Sequence, residues 1–253
     1  MTEHEGAPTL PWEAESLRLT AFTVAEVDLA GLNWWMEIVG DTPETRVQNP
    51  KQGGLAGAGP FLDATFVLQV QPGRIDWSFQ AQNDPESPPR EFPLLGSFVE
   101  WMETFSRPML EWMQLAPPLK RLAFGAVLIH PVADRNAAYH EITNLVPGLR
   151  LDSPEISDFL YQINRPRPST SVTDLMINRL SKWSAGAIAL AQFTLHQAGG
   201  DITKTTLSTG TRLELDINTD PNHSGELSRE SLSPLWGELV GLAREIAVEG
   251  DVP

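Results

Sequence analysis

The chain has 253 residues, 33 of them acidic against 18 basic, a formal net charge of −15 and no cysteine. It is long enough to bury a sizeable core, and without cysteine it has no disulfide, no Cys-ligated zinc or iron–sulfur cluster and no thiol catalysis. So negative a balance argues against non-specific binding to nucleic acid or anionic membrane, which needs clustered Lys and Arg, while it suits a basic protein partner.

Residues 1–15, MTEHEGAPTLPWEAE, read as a loose arm with neither a basic n-region nor an apolar h-region. No apolar run is long enough to span a bilayer, so no membrane association is expected and the expected location is cytoplasmic. There the Asn222-His223-Ser224 sequon has no meaning. Residues 17–23 alternate and predict a strand. Asp28 is placed to cap a helix carrying Leu29, Leu32, Trp35, Met36 and Val39, closed by Gly40. Trp34 and Trp35 cannot share a face of that helix, so one is expected to be partly exposed. A short strand follows at 45–51, then GGLAGAGP at 53–60, which reads as a flexible loop. The clearest hairpin comes next. Residues 61–71 put Leu62, Ala64, Phe66, Leu68 and Val70 on one face, Pro72-Gly73 turns, and residues 74–82 put Ile75, Trp77, Phe79 and Ala81 inward. NDPESPPREFP is a linker by composition. A helix through Leu95, Phe98, Met102, Phe105, Met109 and Trp112 is expected to kink near Pro108 and to stop at Pro117-Pro118.

Residues 120–132, KRLAFGAVLIHPV, are apolar on both alternating sets: Leu122, Phe124, Ala126 and Leu128 on one, Ala123, Val127 and Ile129 on the other. That pattern predicts a strand buried on both faces. Helix 134–145, strand 158–165, a long strand 179–195 bent at Gly186, strand 207–218 and helix 231–247 complete the chain. The order strand, helix, strands, long helix has then occurred twice. The expected fold class is α+β: two tandem strand-helix-strands-helix halves, antiparallel sheets with helices packed on one face. The halves span 16–117 and 118–248, with a tail at 249–253, and can merge their sheets into one domain.

Motifs for catalysis mostly fail. GGLAGAGP lacks the Gly-Lys-Ser/Thr ending of a phosphate loop, and His140-Glu141 begins a zinc-protease motif whose second ligand position is Asn144. No Gly-x-Ser-x-Gly elbow or Ser-x-x-Lys occurs, and no metal or other cofactor is expected. The five histidines have no ligand spacing, and His130, at the end of a buried strand, reads as hydrogen-bonded structure. Arg74 and Asp76, two apart on a strand, read as a simple pair. The helical tryptophans Trp34, Trp35, Trp101, Trp112 and Trp236 read as core.

One stretch departs from the acidic background. Between Leu160 and Trp183 the cations Arg165, Arg167, Arg179 and Lys182 are opposed only by Asp174. Ile-Asn-Arg occurs twice, at 163–165 and 177–179, either side of a Pro/Ser/Thr-rich loop. If those strands pair, Asn164, Arg165, Arg167, Asn178, Arg179 and Lys182 would converge as a carboxylate or phosphate clamp. Trp183 and Tyr161 would add a stacking wall. The alternative, favoured by local charge balance, is internal pairing with Asp152, Glu155, Asp158 or the acidic first half.

RLAFGAVL and FLYQINR resemble segments of a sporadically distributed bacterial protein family of unknown function. The resemblance implies an early strand–helix unit, an aromatic mid-chain helix and a Tyr-x-x-Asn segment after it; it brings no catalytic residues, and it implies mobile-element or host-defence loci. Three functional readings follow. The first is a non-enzymatic cytoplasmic binding or adaptor protein with a macromolecular partner. The second is an acidic inhibitor, immunity- or antitoxin-like, of a basic nuclease or nucleic-acid-binding protein. The third is a sensor or enzyme for an anionic small molecule at the Arg-rich loop. A homo-oligomer is compatible with each.

Overall fold

The computed structural model of the protein describes residues 11–49, 53–82, 91–151, 156, 158–196, 199–223 and 225–252, without the side chains of residues 190, 192–196 and 199–204. The first strands are β1 (Glu13–Thr23), β2 (Thr45–Asn49), β3 (Gly54–Phe61), β4 (Ala64–Gln71), β5 (Arg74–Ala81) and the two-residue β6 (Gly96–Ser97). Later in the chain come β7 (Leu119–Val132), β8 (Leu160–Asn164), β9 (Arg167–Pro168), β10 (Met176–His196) and β11 (Gly199–Thr219). Helices α1 (Trp34–Val39), α2 (Phe98–Leu115), α3 (Arg135–Leu145) and α4 (Arg229–Glu249) are interspersed. All described strands join one antiparallel sheet in the order β2-β3-β4-β5-β1-β7-β11-β10-β8, with β6 beside β1 and β9 beside β10. The architecture is α+β.

Alternation sets the two faces of this sheet. Leu17, Leu19 and Ala21 of β1 lie opposite Ala126, Phe124 and Leu122 of β7, and opposite Phe79, Trp77 and Ile75 of β5. Leu213, Leu215 and Ile217 of β11 continue that layer. The helices cover it with their apolar stripes: Trp35 of α1 stacks on Trp77 at 6.3 Å, Phe105 of α2 meets Phe79 at 5.1 Å, and Trp236 of α4 meets Phe124 at 5.5 Å. Fully burying one such side chain contributes roughly 1.5–3 kcal/mol, so this layer dominates the fold. The opposite face carries Arg18, Gly125, Asp216, Lys182 and their neighbours. Among the described residues no helix packs on it.

Several expectations are corrected. β1 starts at Glu13, and Trp12 is buried, its indole N–H donating to the Ala247 carbonyl at 2.8 Å; the expected arm is outside the described residues up to position 10. Asp28 caps no helix: its Oδ1 accepts from the Ala30 N–H at 2.9 Å in a local turn, and α1 begins only at Trp34. Both Trp34 and Trp35 are buried, because the first meets Trp112 edge-on and the second lies flat on Trp77. GGLAGAGP is not a loop. Its residues form β3, paired along its length with β2 and β4. At Gly59 a side chain would be crowded, since a Cβ there would sit 3.1 Å from the Glu44 amide nitrogen and 3.4 Å from the Trp35 ring. Leu62 faces solvent in the β3–β4 turn at φ +55. The expected strand at 207–218 is the second half of a strand that begins at Gly199. The expected C-terminal tail is docked: the Asp251 N–H donates to the Leu145 carbonyl at 2.8 Å.

Candidate functional site

The two Ile-Asn-Arg segments do lie together, because β8 pairs with β10. Asn164 Nδ2 donates to Asn178 Oδ1 at 2.9 Å, and Asn164 Oδ1 accepts from the Arg179 N–H at 2.9 Å. Alternation then separates the side chains. Asn178 faces the bare side of the sheet, where its Nδ2 donates to Asn218 Oδ1 at 3.2 Å. Arg179 faces the helices and is 1% exposed. The expected convergence of Asn and Arg groups therefore does not occur: consecutive residues of a strand point to opposite faces.

On the helix side the cations meet the end of α4. Glu245 Oε1 lies 2.9 Å from Arg179 and 2.7 Å from Arg167. Asp251 receives a two-pronged bond from Arg165, 2.6 and 2.9 Å, and a third from the Tyr161 hydroxyl at 3.1 Å. The Arg165 guanidinium holds the Asp251 carboxyl below the usual carboxylate range, outweighing burial. Burial pulls the Arg179 guanidinium down from its ordinary value, and Glu245 opposes that pull. Lys182 lies on the bare face, its Nζ donating to both oxygens of Glu214 at 3.1 and 3.0 Å. Trp183 is fully buried, its indole N–H donating to Ser181 Oγ at 3.1 Å, so it offers no exposed stacking wall. Among the described residues, the carboxylates that bond these cations are Glu245, Asp251 and Glu214. Asp158, which was expected to share that duty, is not among them; Asp152 and Glu155 lie outside the described residues. An anion arriving here would have to displace carboxylates tethered to the same chain.

His130 Nδ1 lies 3.0 Å from Glu141, which also accepts from the Thr211 hydroxyl. Arg74 pairs with Asp76 at 2.7 Å, and the Thr20 hydroxyl donates to the same carboxylate at 2.6 Å. Trp34, Trp35, Trp112 and Trp236 are core, with Trp101 half-buried against Phe79.

Two surfaces stand apart from this internally satisfied chemistry. The bare face holds a groove of about 440 Å³ whose lining includes Ser16, Arg18, Gln80, Lys182, Glu214 and Asp216. Arg18 is exposed and makes no hydrogen bond or ion pair with a described residue. The second surface is the β10–β11 ribbon. The two strands pair from Ile177–Thr219 out to His196–Gly199, yet β8 stops at Ser184 and β7 at Thr209. Beyond those points the ribbon runs on with no sheet neighbour among the described residues. Phe92 packs against the cross-strand pair Gly186 and Gly210 at its base, 3.5 and 3.2 Å from where Cβ atoms would stand. A cleft of about 750 Å³ opens beside it, between Thr206–Thr209 and the start of α3. Sequence reasoning missed both surfaces: it expected strands at 179–195 and 207–218 but not the pairing that carries them past β8 and β7, for which the Thr-rich ITKTT at 202–206 was the available signal.

No protein-family model matches the chain, and no curated protein matches it significantly. No described helix is long and apolar enough to cross a membrane.

Proposed function

We propose that this protein is a non-enzymatic binding or adaptor protein that holds a macromolecular partner through the projecting β10–β11 arm. The observation that carries this reading is the excess length of the two strands, each of 21 residues, over the strands that flank them. A two-stranded ribbon is marginally stable by itself, and both of its edges offer unpaired N–H and C=O groups that a partner strand can complete. The net charge of −15 favours a basic partner and fast, salt-sensitive encounter.

The strand order supports a repeated unit as the mount for this arm. Outward from the β1–β7 contact run β5, β4 and β3 on one side and β11, β10 and β8 on the other. We read these as two copies of one strand-helix-strands-helix plan joined at their first strands, each with helices on the same face.

The test is to join Ala187 to Thr209, a cross-strand pair, by an Asn-Gly turn, which removes the arm and keeps the sheet. The intact chain should capture a stoichiometric partner from its host, less well as salt rises. The trimmed chain should melt normally and capture nothing. Equal capture by the trimmed chain overturns the reading.

A further inference from the structure

We infer that the bare face of the sheet is a twofold interface with a second copy of this chain, the axis running along β7 through Gly125. One cross-strand row passes through Ser78, Arg18, Gly125, Asp216 and Leu180, on β5, β1, β7, β11 and β10 in turn. Arg18 and Asp216 are thus the immediate neighbours of Gly125, one on each side. Stack two such faces about an axis along β7, and a residue n strands to one side meets the residue n strands to the other side of its mate. Arg18 of each copy then faces Asp216 of the other, and two reciprocal ion pairs form.

Neighbouring rows obey the same relation. Ser16 and Glu214 flank Val127, so a hydroxyl meets a carboxylate. Two strands out, Gln80 meets Lys182 in that row, and Asp76 meets Asn178 in the row through Ala123. Along the axis itself lie Ala123, Gly125 and Val127, small or apolar groups suited to a dry seam; the next residue of that set, Ile129, is already fully buried within one copy. Gly125 also admits the Arg18 guanidinium, which lies 3.4 Å from where a Cβ would be. Arg121, at one end of the seam, is turned aside over the Phe22 ring at 4.5 Å. Packed sheets cross at about 30°, so correspondence is tightest near Gly125. Moving the axis by one strand destroys the match: along β1 it sets Arg18 against its own copy, along β11 it does the same to Asp216.

Net charge selects the same face. It carries five cations, Arg18, Arg74, Arg121, Lys182 and Arg212, against five anions, Glu13, Glu15, Asp76, Glu214 and Asp216. That is +5 − 5 = 0, which leaves the whole −15 on the rest of the chain. Two copies that meet through this face bring no net like charge together. Five central strands over about eight residues present roughly 600 Å² per copy, near 1,200 Å² in total, which reaches the lower bound of stable interfaces. The inference is independent of what the arm binds.

Sedimentation velocity tests it on the full chain. The wild type should be a dimer in the micromolar range. Arg18→Asp and Asp216→Arg should each remain folded by circular dichroism and raise the dimer dissociation constant at least about 100-fold, since each opposes like charges twice. An equimolar mixture of the two variants should recover a dimer, because every pair across that interface is then of opposite sign. Should Asp216→Arg fail to fold, Val127→Arg, which sets a cation against its own mate on the seam, must give a folded monomer. A monomeric wild type, a dimer indifferent to the substitutions, or folded variants that stay monomeric when mixed would overturn the proposal.

Discussion

Glu245 takes two guanidinium groups, and one of them, on Arg179, is 1% exposed. A buried ion whose partner is removed costs far more than a pair that is never formed. Glu245→Ala should therefore destabilise the chain by about 3 kcal/mol, while Arg179→Met, which removes the buried charge itself, should cost less than about half of that. Urea denaturation measures both, and equal losses would show that the pair matters only as packing. Gly250 is the other residue on which the C-terminus turns. Its φ is +80, and a Cβ there would stand 2.0 Å from the Leu145 carbonyl oxygen. Gly250→Ala must therefore displace the tail that brings Asp251 to Arg165 and Tyr161. The expected loss is more than about 2 kcal/mol, well beyond the usual effect of an exposed glycine substitution.

Among the elements, the β10–β11 ribbon and β3 show opposite relations between local sequence and context. β3 is glycine-rich and intrinsically poor as a strand, yet β2 and β4 flank it and Trp35 covers it. The ribbon's outer half has better strand composition and less support. Its amides should consequently exchange with solvent much faster at 188–207 than at 177–186 and 210–219, where β8, β7 and the helices add neighbours. Hydrogen-exchange mass spectrometry resolves these peptides, and uniform protection along the ribbon in the isolated protein would mean that something already covers it.

At the scale of the whole molecule, stability is tied to carboxylates that must stay ionised. Asp251 is held below its ordinary value by Arg165. Glu238 and Glu214 are raised by burial but lowered further, the first by the Ser169–Ser171 turn and the second by Lys182 and Arg212. Carboxyls with depressed folded values contribute fully above their unfolded value, about 4, and lose that contribution as pH falls through the folded one. The melting temperature should therefore hold from neutrality to about pH 5 and fall below about pH 4. Asp251→Asn should start lower and fall less steeply; an acid limb parallel to that of the wild type would remove Asp251 from this account.

Much of this was legible in the sequence, wherever a period expresses burial. The hairpin around Pro72-Gly73 and the stripes of α2 and α4 follow from apolar groups that must leave water whatever lies opposite them. The run at 120–132, expected to be buried on both faces, is covered by helices on one face only among the described residues. The simple pairing of Arg74 with Asp76 followed from their spacing on one strand. The Arg-rich stretch showed its charge but not its partners, because Glu245 lies 66 residues from Arg179 and Asp251 lies 86 residues from Arg165. The sequence by itself determined the main apolar faces, those of the hairpin, of β7 and of α2 and α4, and the local form that carries each. Only the tertiary structure decided which face of the sheet stays bare, which carboxylate meets which cation, and that a run of glycines is a strand. Those outcomes depend on contacts between distant segments, and no local propensity records them.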